Sequence, residues 1–432
     1  MAADPAVVLD VTRLISRLGQ GPLTGIDRVE AAWLAHLQDR PHLLLARIRR
    51  RQRLLPPAAG AALLDWTGGA ALPPAGALDR LLGRTGARAQ AETALARMAL
   101  ASRGPAGRGL GRAVRRALAA GRAGPDPRAD LAPRAAQAPP PRAQPVYLSV
   151  GHANLSAALW ANLGWARRVV LIHDTIPLDH PAFTRQGQSR AFRDRFAAGV
   201  GQADLVLAIS TAARDDIARW RARLGLADRA ALAVAPIGTS LAAPDPGALP
   251  PDLDLSRPFF VALGTIEPRK NHALLLDAWD LLARHCPPEA MPRLFIVGRR
   301  GWRNEATFAR LDALPRGGPV RELSGLPDGA VAALLDRAHA LLMPSRAEGF
   351  GLPLTEAGAR GVPVLASPLP AAREILGDAA RWLAPDDAQD WALAVAEMSA
   401  GQPQRLSPLA VPTWNDHFAR AWQAIGAVSP RA

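Results

Sequence analysis

The stretch FFVALGTIEPRKNHALLL, residues 259 to 276, decides the fold that we expect for this chain. It begins with an apolar run typical of a buried strand, turns through the loop GTIEPRKN (264 to 271), and enters a helix around His272. A strand followed by a short loop and a helix is half of a βαβ unit, in which parallel strands lie beneath their connecting helices. The stretch therefore predicts a parallel α/β sheet.

The loop of this stretch contains Lys270, which is the only lysine among the 52 Lys and Arg residues of the chain. An ammonium on a flexible stem has a shape and hydration that a planar guanidinium does not imitate. Together with Arg269, it lies at the carboxyl end of a strand and beside a helix N-terminus, where an anion is favoured. We interpret the loop as an anion site; a chance lysine on a solvated turn is the alternative.

The same alternation of strand and helix continues to the C-terminus. It predicts a second domain over residues 259–411 and an amphipathic helix over 412–428 that packs back on the first domain. The expected strands are FFVALG (259 to 264), LFIVG (294 to 298), VRELSG (320 to 325), ALLMPS (340 to 345), PVLAS (363 to 367) and ARWL (380 to 383).

The N-terminal half shows the alternation as well, over residues 1–245, and a proline-rich linker at 246–258 separates the two domains. We therefore predict an α/β protein with two doubly wound, Rossmann-like domains that face a central cleft. The expected strands are VVLD (7 to 10), LLLARI (43 to 48), YLSV (147 to 150), VVLIHD (169 to 174) and LVLAIS (205 to 210).

Composition narrows the class of protein. The chain has 432 residues, of which 49% are hydrophobic, and a single cysteine, Cys286, which excludes an intramolecular disulfide and a cysteine metal site. The nine histidines lack metal-binding spacing, so we expect no metal. The first residues lack the features of a signal peptide, and no apolar run approaches the roughly 18 residues of a spanning helix. A cytoplasmic protein is expected.

The net charge of +14 is concentrated in the N-terminal half, near residues 47–53 and in an Ala-, Arg-, Gly- and Pro-rich insertion at about 84–145. We expect this insertion to be flexible, with a helix near 86–101. It lacks interleaved aromatic residues, so specific nucleic-acid binding is not expected. Peripheral docking on anionic lipid head groups and a solvated tract without a partner both stay open.

A second group of candidate residues follows the predicted strand ALLMPS. A glycine loop around Gly349 and Gly351 lets the backbone approach a phosphate, with the N–H groups around Gly351 and Leu352 free to point at it. Glu348 in the loop and Glu356 on the first helical turn are spaced to accept hydrogen bonds from the hydroxyl groups of one ligand. A nucleotide-sugar site is the interpretation, although Glu356 near a helix start could instead complement the helix dipole.

Two further loops supply candidates from the N-terminal half. Gly21 and Gly25 allow a tight loop that reaches the cleft, and Thr24 is a candidate helix cap. His173 lies at a strand end beside Asp174, where it faces the cleft or is simply bonded to backbone. For each loop, a functional and a structural interpretation stay open.

These motifs resemble retaining glycosyltransferases of the family-4 type. EGFGLPLTE (348 to 356) is similar to their E-x7-E motif, and EPRKN (267 to 271) is similar to their diphosphate-binding loop. The resemblance extends over VVLIHDTIPLDHP (169 to 181), LVLAISTAARDDI (205 to 217), LFIVGRRGW (294 to 302) and GVPVLAS (361 to 367). It implies a two-domain GT-B fold and a metal-independent enzyme that needs no cofactor besides its nucleotide diphosphate sugar.

The resemblance also implies roles for individual residues. Arg269 and Lys270 would hold the donor diphosphate, Glu348 and His173 would face the transferred sugar, and Glu356 would bind the ribose. The backbone around Phe350, Gly351 and Leu352 would meet sugar and phosphate. Many relatives have an Arg at the position of Thr265, so the group of side chains that would hold the donor diphosphate differs there. Thr265 is included among the donor-binding candidates.

The predicted function is transfer of a hexose from a nucleotide diphosphate sugar to a glycan or lipid-linked acceptor in cell-surface polysaccharide synthesis. TGIDRVE (24 to 30) and HDTIPLDHP (173 to 181) resemble a mannosyltransferase-like subgroup, which implies GDP-mannose as donor. The alternative is a non-catalytic protein of degenerate transferase fold that binds nucleotide sugars, nucleic acid or an anionic surface.

Overall fold

The structure is a computed structural model that describes residues 5–21, 23, 25–120 and 144–428. It contains two lobes, each built on a sheet with helices on both faces. This is the α/β architecture predicted from the sequence.

The first lobe contains an eight-stranded sheet in the order β4-β3-β2-β1-β5-β6-β7-β8. All its neighbouring strands pair in parallel except at one edge, where β2–β3 and β3–β4 are antiparallel. Its strands are β1 (Val7–Asp10), β2 (His42–Ile48), β3 (Arg51–Leu55), β4 (Ala101–Arg103), β5 (Val146–Ser149), β6 (Arg167–Ile172), β7 (Leu205–Ala208) and β8 (Ala231–Val234).

The central strands of this sheet are buried on both faces, as apolar runs in a covered parallel sheet should be. The helices of the lobe are α1 (Thr12–Arg17), α2 (Gly25–His36), α3 (Pro57–Thr67), α4 (Ala77–Leu81), α5 (Ala87–Met98), α6 (Leu110–Ala120), α7 (Ala157–Trp160), α8 (Ile176–Asp179), α9 (Gln188–Val200) and α10 (Thr211–Arg223), with a 3-10 turn at Pro181–Phe183.

The expected flexible insertion differs from the structure over residues 87–120. The helix expected near 86–101 is present as α5, and β4 then extends the sheet by pairing with β3. Helix α6 follows and buries Leu110 and Val114. A few well-placed apolar side chains and the backbone hydrogen bonds of a sheet edge order this stretch despite its composition. Residues 121–143 lie outside the described part of the chain.

The second lobe contains a six-stranded parallel sheet in the order β11-β10-β9-β12-β13-β14. Apolar clusters cover both of its faces. Its strands are β9 (Phe259–Leu263), β10 (Arg293–Val297), β11 (Val320–Leu323), β12 (Ala340–Met343), β13 (Val364–Ala366) and β14 (Ala380–Trp382). Its helices are α11 (His272–Leu282), α12 (Glu305–Asp312), α13 (Asp328–Leu335), α14 (Leu352–Ala359), α15 (Pro370–Leu376) and α16 (Ala388–Ser399), with 3-10 turns at Pro246–Ala248 and Pro268–Lys270.

The last helix, α17 (Trp414–Ala427), returns to the first lobe. A capping box between Thr413 and Asp416 starts it, because each side chain satisfies a backbone N–H of the first turn. Buried His417 accepts a hydrogen bond of 3.0 Å from Trp33 Nε1 on α2, and Phe418 packs against Trp33. The chain therefore crosses between the lobes twice, once in each direction.

Candidate active site

The loop after β9 is shaped by its backbone. Gly264 has φ of +133°, which only glycine adopts easily, and the 3-10 turn Pro268–Lys270 ends at Asn271, which is left-handed with φ of +57°. The Asn271 amide donates hydrogen bonds of 3.1 Å and 2.7 Å to the carbonyl oxygens of Pro344 and Pro385. These bonds tie the loop to the end of β12, so the two sequence motifs lie side by side.

Glu348 forms ion pairs with both basic residues of this loop, Arg269 and Lys270. Its Oε2 lies 2.7 Å from Arg269 Nη1, and its Oε1 lies 2.6 Å from Lys270 Nζ. Arg269 Nη2 is also 2.8 Å from the buried Glu267 Oε1. The Glu348 and Lys270 side chains are only 7% and 9% exposed, so the cluster is largely withdrawn from water. The structure thus brings together the two predicted motifs in one ion-paired centre.

The electrostatics of the centre keep Glu348 ionised. Burial alone would raise the pKa of Glu348, but the charges of Arg269 and Lys270 outweigh it and hold this pKa at about 2. Burial lowers the pKa of Lys270, while Glu348 opposes that shift. The pKa of Arg269 is raised by its acidic neighbours in spite of burial. The centre therefore contains two cations, Arg269 and Lys270, and two carboxylates, Glu267 and Glu348. An anion that replaced the Glu348 carboxylate would meet both cations.

The glycine loop brings the two lobes into contact. A Cβ placed on Gly349 would lie 2.6 Å from the carbonyl oxygen of His173 and 2.8 Å from Asp174 Cβ, both in the first lobe. Ser210 Oγ donates a hydrogen bond of 2.9 Å to the Gly349 carbonyl oxygen. Only glycine permits this approach, so Gly349, which sequence reasoning did not select as a site residue, positions the loop across the cleft.

His173 is buried at the cleft and lies beside a second histidine. Its Nε2 is 2.8 Å from the Val150 carbonyl oxygen, and its ring centroid is 5.0 Å from that of His152. Burial, followed by His152, lowers the pKa of His173 well below the usual range. The ring is therefore neutral, with Nε2 as the donor to Val150. Burial raises the pKa of the adjacent Asp174, which Arg269 opposes.

Glu356 lies one turn into α14, beyond the first turn on which the sequence predicted it, and faces a cation from the other lobe. Arg28 Nη1 of α2 lies 3.5 Å from Glu356 Oε1, and Arg28 Nη2 lies 2.8 Å from Asp328 Oδ1. Burial raises the pKa of Glu356 to about 7, and Arg28 only partly opposes it. These residues line a cavity of about 280 Å³ between the lobes, together with Ser240, Leu241 and Arg360.

The other predicted donor-binding residues lie around the glycine loop. Half-buried Thr265 packs against Gly301, where an added Cβ would be 2.8 Å from Thr265 Cγ2. Gly351, with φ of +104°, precedes α14, whose first residue is Leu352. Phe350 is buried in the apolar cluster of the first lobe, so its side chain anchors the loop and leaves the backbone for a ligand.

The predicted N-terminal loop residues have conformational roles. Gly21 and Gly25 have φ of +83° and +37°, and a Cβ at either position would meet nothing within 4 Å. The neighbouring Gln20 carbonyl oxygen accepts a hydrogen bond of 3.4 Å from Arg299 of the second lobe, so this loop does reach the cleft. Thr24 lies outside the described residues.

Sequence reasoning missed the residues that act from the opposite lobe or from a neighbouring turn. Arg28 and Glu267 both occur in the stretches that carry the family resemblance, yet neither was selected as a site residue. Arg28 contacts Glu356, which is far away in the sequence, and only the packing of the lobes shows this contact. Glu267 contacts Arg269 across a bend of the same loop, and only the folded loop shows that contact.

The described residues contain no group of three or more His, Cys, Asp or Glu side chains that could hold a metal ion. Among the same residues, no helix has both the length and the apolar character that crossing a bilayer requires.

Comparisons with known proteins agree with this geometry. Residues 250–408 match the family model Glycosyl transferases group 1. The serotype-specific mannosyltransferase WbdA of Escherichia coli is 30% identical over 250 residues, which are 55% of this chain and 30% of WbdA. The O-antigen chain mannosyltransferase B of Escherichia coli is 39% identical over 127 residues, or 29% of this chain and 32% of the relative. The chain thus spans about a third of each relative.

A solved structure supports the fold over nearly the whole chain. The crystal structure of Anabaena HepE in complex with UDP-glucose has a TM-score of 0.53 at 16% identity, and the match covers 92% of each chain. Two facing parallel-sheet lobes and this likeness define the fold as GT-B. The chain carries a glycosyl transferases group 1 domain and is similar to mannosyltransferases, which confirms the resemblance seen in the sequence.

Proposed function

We propose that the protein is a retaining hexosyltransferase that uses a nucleoside diphosphate sugar. The observation that carries this proposal is the contact of Glu348 with both Lys270 and Arg269, at 2.6 Å and 2.7 Å, where the glycine loop meets His173. A diphosphate can take the place of the carboxylate between the two cations, because phosphate and carboxylate oxygens bind such groups similarly.

In the proposed reaction, the bond between the anomeric carbon and the diphosphate oxygen breaks as an acceptor hydroxyl forms a new bond on the same face of the sugar. The hydroxyl proton passes to the departing phosphate oxygen, so no protein nucleophile is needed. Lys270 and Arg269 stabilise the charge that develops on the leaving diphosphate. Glu348, released from the two cations by the donor, accepts hydroxyl groups of the sugar or stabilises positive charge on its ring.

His173 and Glu356 have positioning roles in this proposal. The neutral His173, fixed by its hydrogen bond to Val150, presents an uncharged face to the sugar from the first lobe. Glu356 accepts the ribose hydroxyl groups, as the carboxylate of the E-x7-E motif would in the resembling family. Donor binding then displaces Arg28, whose guanidinium lies 3.5 Å from Glu356.

Mannose is the sugar that the relatives favour, since WbdA and O-antigen chain mannosyltransferase B are both mannosyltransferases. We therefore place GDP-mannose first among donors. UDP-glucose, which HepE binds, is the competing donor. An acceptor that is a glycan or a lipid-linked glycan, in cell-surface polysaccharide synthesis, agrees with the O-antigen relative.

A basic surface on the first lobe supports a cytoplasmic enzyme that contacts an anionic membrane. Helix α6 presents exposed Arg112, Arg115 and Arg116, and Leu100, which precedes the adjoining β4, is 52% exposed. Each Arg near an anionic surface contributes about 1 kcal/mol. Sedimentation with phosphatidylglycerol vesicles should show binding that the triple Arg-to-Gln variant loses; equal sedimentation of both proteins would exclude this surface.

The proposed activity is tested by combining a donor panel with a turnover assay. A bound donor raises the melting temperature by mass action, so a thermal-shift series with GDP-mannose, UDP-glucose and the free nucleotides should single out one donor. Release of nucleoside diphosphate in the presence of saccharide acceptors then reports transfer or hydrolysis. A protein that binds a nucleotide sugar but never releases its nucleotide would be a binding protein rather than an enzyme.

A further inference from the structure

The first lobe holds a second basic cluster, formed by Arg13, Arg47 and Arg195, that the donor site does not use. The three residues come from α1, β2 and α9, which are far apart in sequence. They meet at the segment 151–153, which follows β5 at the carboxyl edge of the sheet. This edge is where ligands of doubly wound folds bind.

Arg13 and Arg47 contact that segment directly, and Arg195 lies on the helix that packs beside it. A Cβ on Gly151 would lie 2.8 Å from Arg13 Cβ, so α1 packs directly on the segment. Arg47 Nη2 donates a hydrogen bond of 3.0 Å to the Ala153 carbonyl oxygen. The His152 ring lies 5.9 Å from the Phe192 ring, and Arg195 is one turn beyond Phe192 on the same face of α9.

The segment itself is held in a strained conformation. His152 has φ of +59°, which is unfavourable for a side chain of this size, and its Nε2 is fixed 2.8 Å from the Leu171 carbonyl oxygen. Burial, together with the charges of Arg13 and Arg195, lowers the pKa of His152 to about 3, although the hydrogen bond to Leu171 opposes this shift. The ring is therefore neutral and does not compete with the arginines for an anion.

The positive charge of the cluster exceeds the negative charge around it. Asp27 is shared by Arg13, at 2.7 Å, and Arg17, at 2.9 Å. Within the described ranges, neither Arg47 nor Arg195 has a carboxylate at ion-pair distance. Burial, followed by the charges of Arg47 and Arg13, lowers the pKa of Arg195.

Two buried carboxyl groups lie below the cluster, and neither neutralises it. Burial raises the pKa of Glu30 well above its usual range, and its Oε1 accepts a hydrogen bond of 2.7 Å from Leu14 N. Burial also raises the pKa of Asp10, which accepts hydrogen bonds from Tyr147 and Asn154 at 2.8 Å and 2.7 Å. Asp10 and Glu30 Oε1 are thus bonded within the protein, whereas Glu30 Oε2 lies against Gly151 without a hydrogen-bond partner.

The position of the cluster relates it to the transfer reaction. The His152 ring is 5.0 Å from the ring of His173, whose carbonyl oxygen packs against Gly349. The segment 151–153 thus adjoins His173, on the lobe opposite to the proposed site of the donor diphosphate. Arg47 is exposed and the other two are partly exposed, so a ligand can reach them.

We propose that Arg13, Arg47 and Arg195 form an anion subsite that binds a phosphate group of the acceptor. This inference rests on the proposed transferase function, because it names the chemistry of the substrate that enters the cleft from the first lobe. The acceptor then carries its phosphate or diphosphate close to the hydroxyl group that is glycosylated.

Calorimetric titration of the full-length protein with inorganic pyrophosphate at low salt tests the subsite. The wild type should bind two equivalents, one at Lys270 and Arg269 and one at the arginine cluster. The double variant Arg47→Gln/Arg195→Gln should lose one equivalent or weaken it at least tenfold, since charge-assisted contacts are lost. Arg193→Gln, on the same helix but 56% exposed and 3.9 Å from Asp194, is the matched control and should bind as the wild type does.

The outcomes distinguish this subsite from the donor site. If the double variant keeps both equivalents, the subsite does not exist, whatever happens at Lys270. If Lys270→Ala keeps both while the double variant loses one, the proposed donor site fails and the anion subsite stands. Melting temperatures of all variants identify any that do not fold, and Arg47→Lys/Arg195→Lys, which keeps the charge, should retain binding.

A second measurement distinguishes the two sources of the phosphate. Transfer rates are compared for a prenyl diphosphate-linked sugar, the water-soluble sugar 1-phosphate and the neutral methyl glycoside. Transfer to a phosphorylated acceptor that is faster than transfer to the methyl glycoside supports the subsite, provided that the double variant loses this difference. Which of the two phosphorylated acceptors is preferred shows whether the phosphate belongs to a lipid carrier. Equal rates for all three acceptors in the wild type would overturn it.

Discussion

At the scale of single residues, the structure explains why one lysine stands among so many arginines. A Cβ on Gly264 would be 3.1 Å from Lys270 Cε and 3.4 Å from Nζ, so the side chain runs along bare backbone to reach Glu348. A guanidinium is wider and planar and does not fit this path without moving the loop. The neighbouring Arg269 has room because it makes its contacts at the surface of the cluster, with a 21% exposed side chain.

The pKa of Glu356 predicts a pH dependence of donor binding. Because this pKa is about 7, the carboxyl group is largely protonated at pH 6 and ionised at pH 8. An ionised carboxylate accepts the ribose hydroxyl groups more strongly, so donor affinity should rise with pH over this interval. Calorimetry with a nucleotide sugar, whose diphosphate does not titrate there, should show the rise in the wild type. The Glu356→Gln variant should show a flat profile, and an equal rise in both proteins would contradict the assignment.

The sequence predicted which charged residues lie in the cleft. It did not predict the contacts that these residues make. Lys270 and Glu348 could be found because charge type and motif spacing are local properties. Their mutual contact depends on how β9 and β12 are paired, and the contact of Arg28 with Glu356 depends on the orientation of two lobes. Neither arrangement leaves a local trace in sequence.

At the scale of elements, the glycine loop before α14 determines how closely the lobes approach. Replacing Gly349 by Ala would place a methyl group 2.6 Å from the His173 carbonyl oxygen, well inside van der Waals contact. We expect Gly349→Ala to reduce kcat/KM at least about tenfold, because the catalytic groups of the two lobes are pushed apart.

Melting temperature serves as the control for this variant, since the clash lies between lobes rather than within a core. Gly401→Ala, where a Cβ would meet nothing within 4 Å, should behave as the wild type does. Wild-type turnover by Gly349→Ala would show that the lobes do not need this approach for the reaction.

The strands and helices with clear apolar periodicity were predictable, and the sheet edge was not. A strand was expected at each of the six positions where the sheet of the second lobe has one. β3, β4 and β8 were not predicted, and Arg51–Leu55 and Ala101–Arg103 contain little apolar alternation. The backbone pairing of β3 with β2, of β4 with β3 and of β8 with β7 places these strands in the sheet.

At the scale of the whole molecule, the two crossings between the lobes are bound to each other. Thr239 N donates a hydrogen bond of 2.9 Å to the Pro412 carbonyl oxygen, and α17 then packs on the first lobe through His417. The lobes therefore share a double connection, about which the cleft can open and close. The C-terminal helix contributes to the stability of a lobe that is distant in sequence.

His417 predicts how this connection responds to acid. Burial lowers the pKa of His417 to about 4, below the usual 6.5, although the hydrogen bonds of its Nδ1 to the Ala235 and Pro236 carbonyl oxygens oppose this shift. The unfolded chain binds this proton first, so its contribution to stability is present above pH 6.5 and is lost as pH falls toward 4. Unfolding of the first lobe, followed by denaturant titration, should depend less on pH in His417→Gln. An unchanged pH dependence would show that His417 is not the titrating group.

The central claim, that Lys270 and Arg269 hold a donor diphosphate beside Glu348, is tested most directly by calorimetric titration with the donor selected in the thermal-shift panel. Loss of a charge-assisted contact should weaken donor binding by Lys270→Ala at least about tenfold. Lys270→Arg should fail to restore it, because the path along Gly264 fits an ammonium. Donor affinity equal to the wild type in Lys270→Ala would contradict the account.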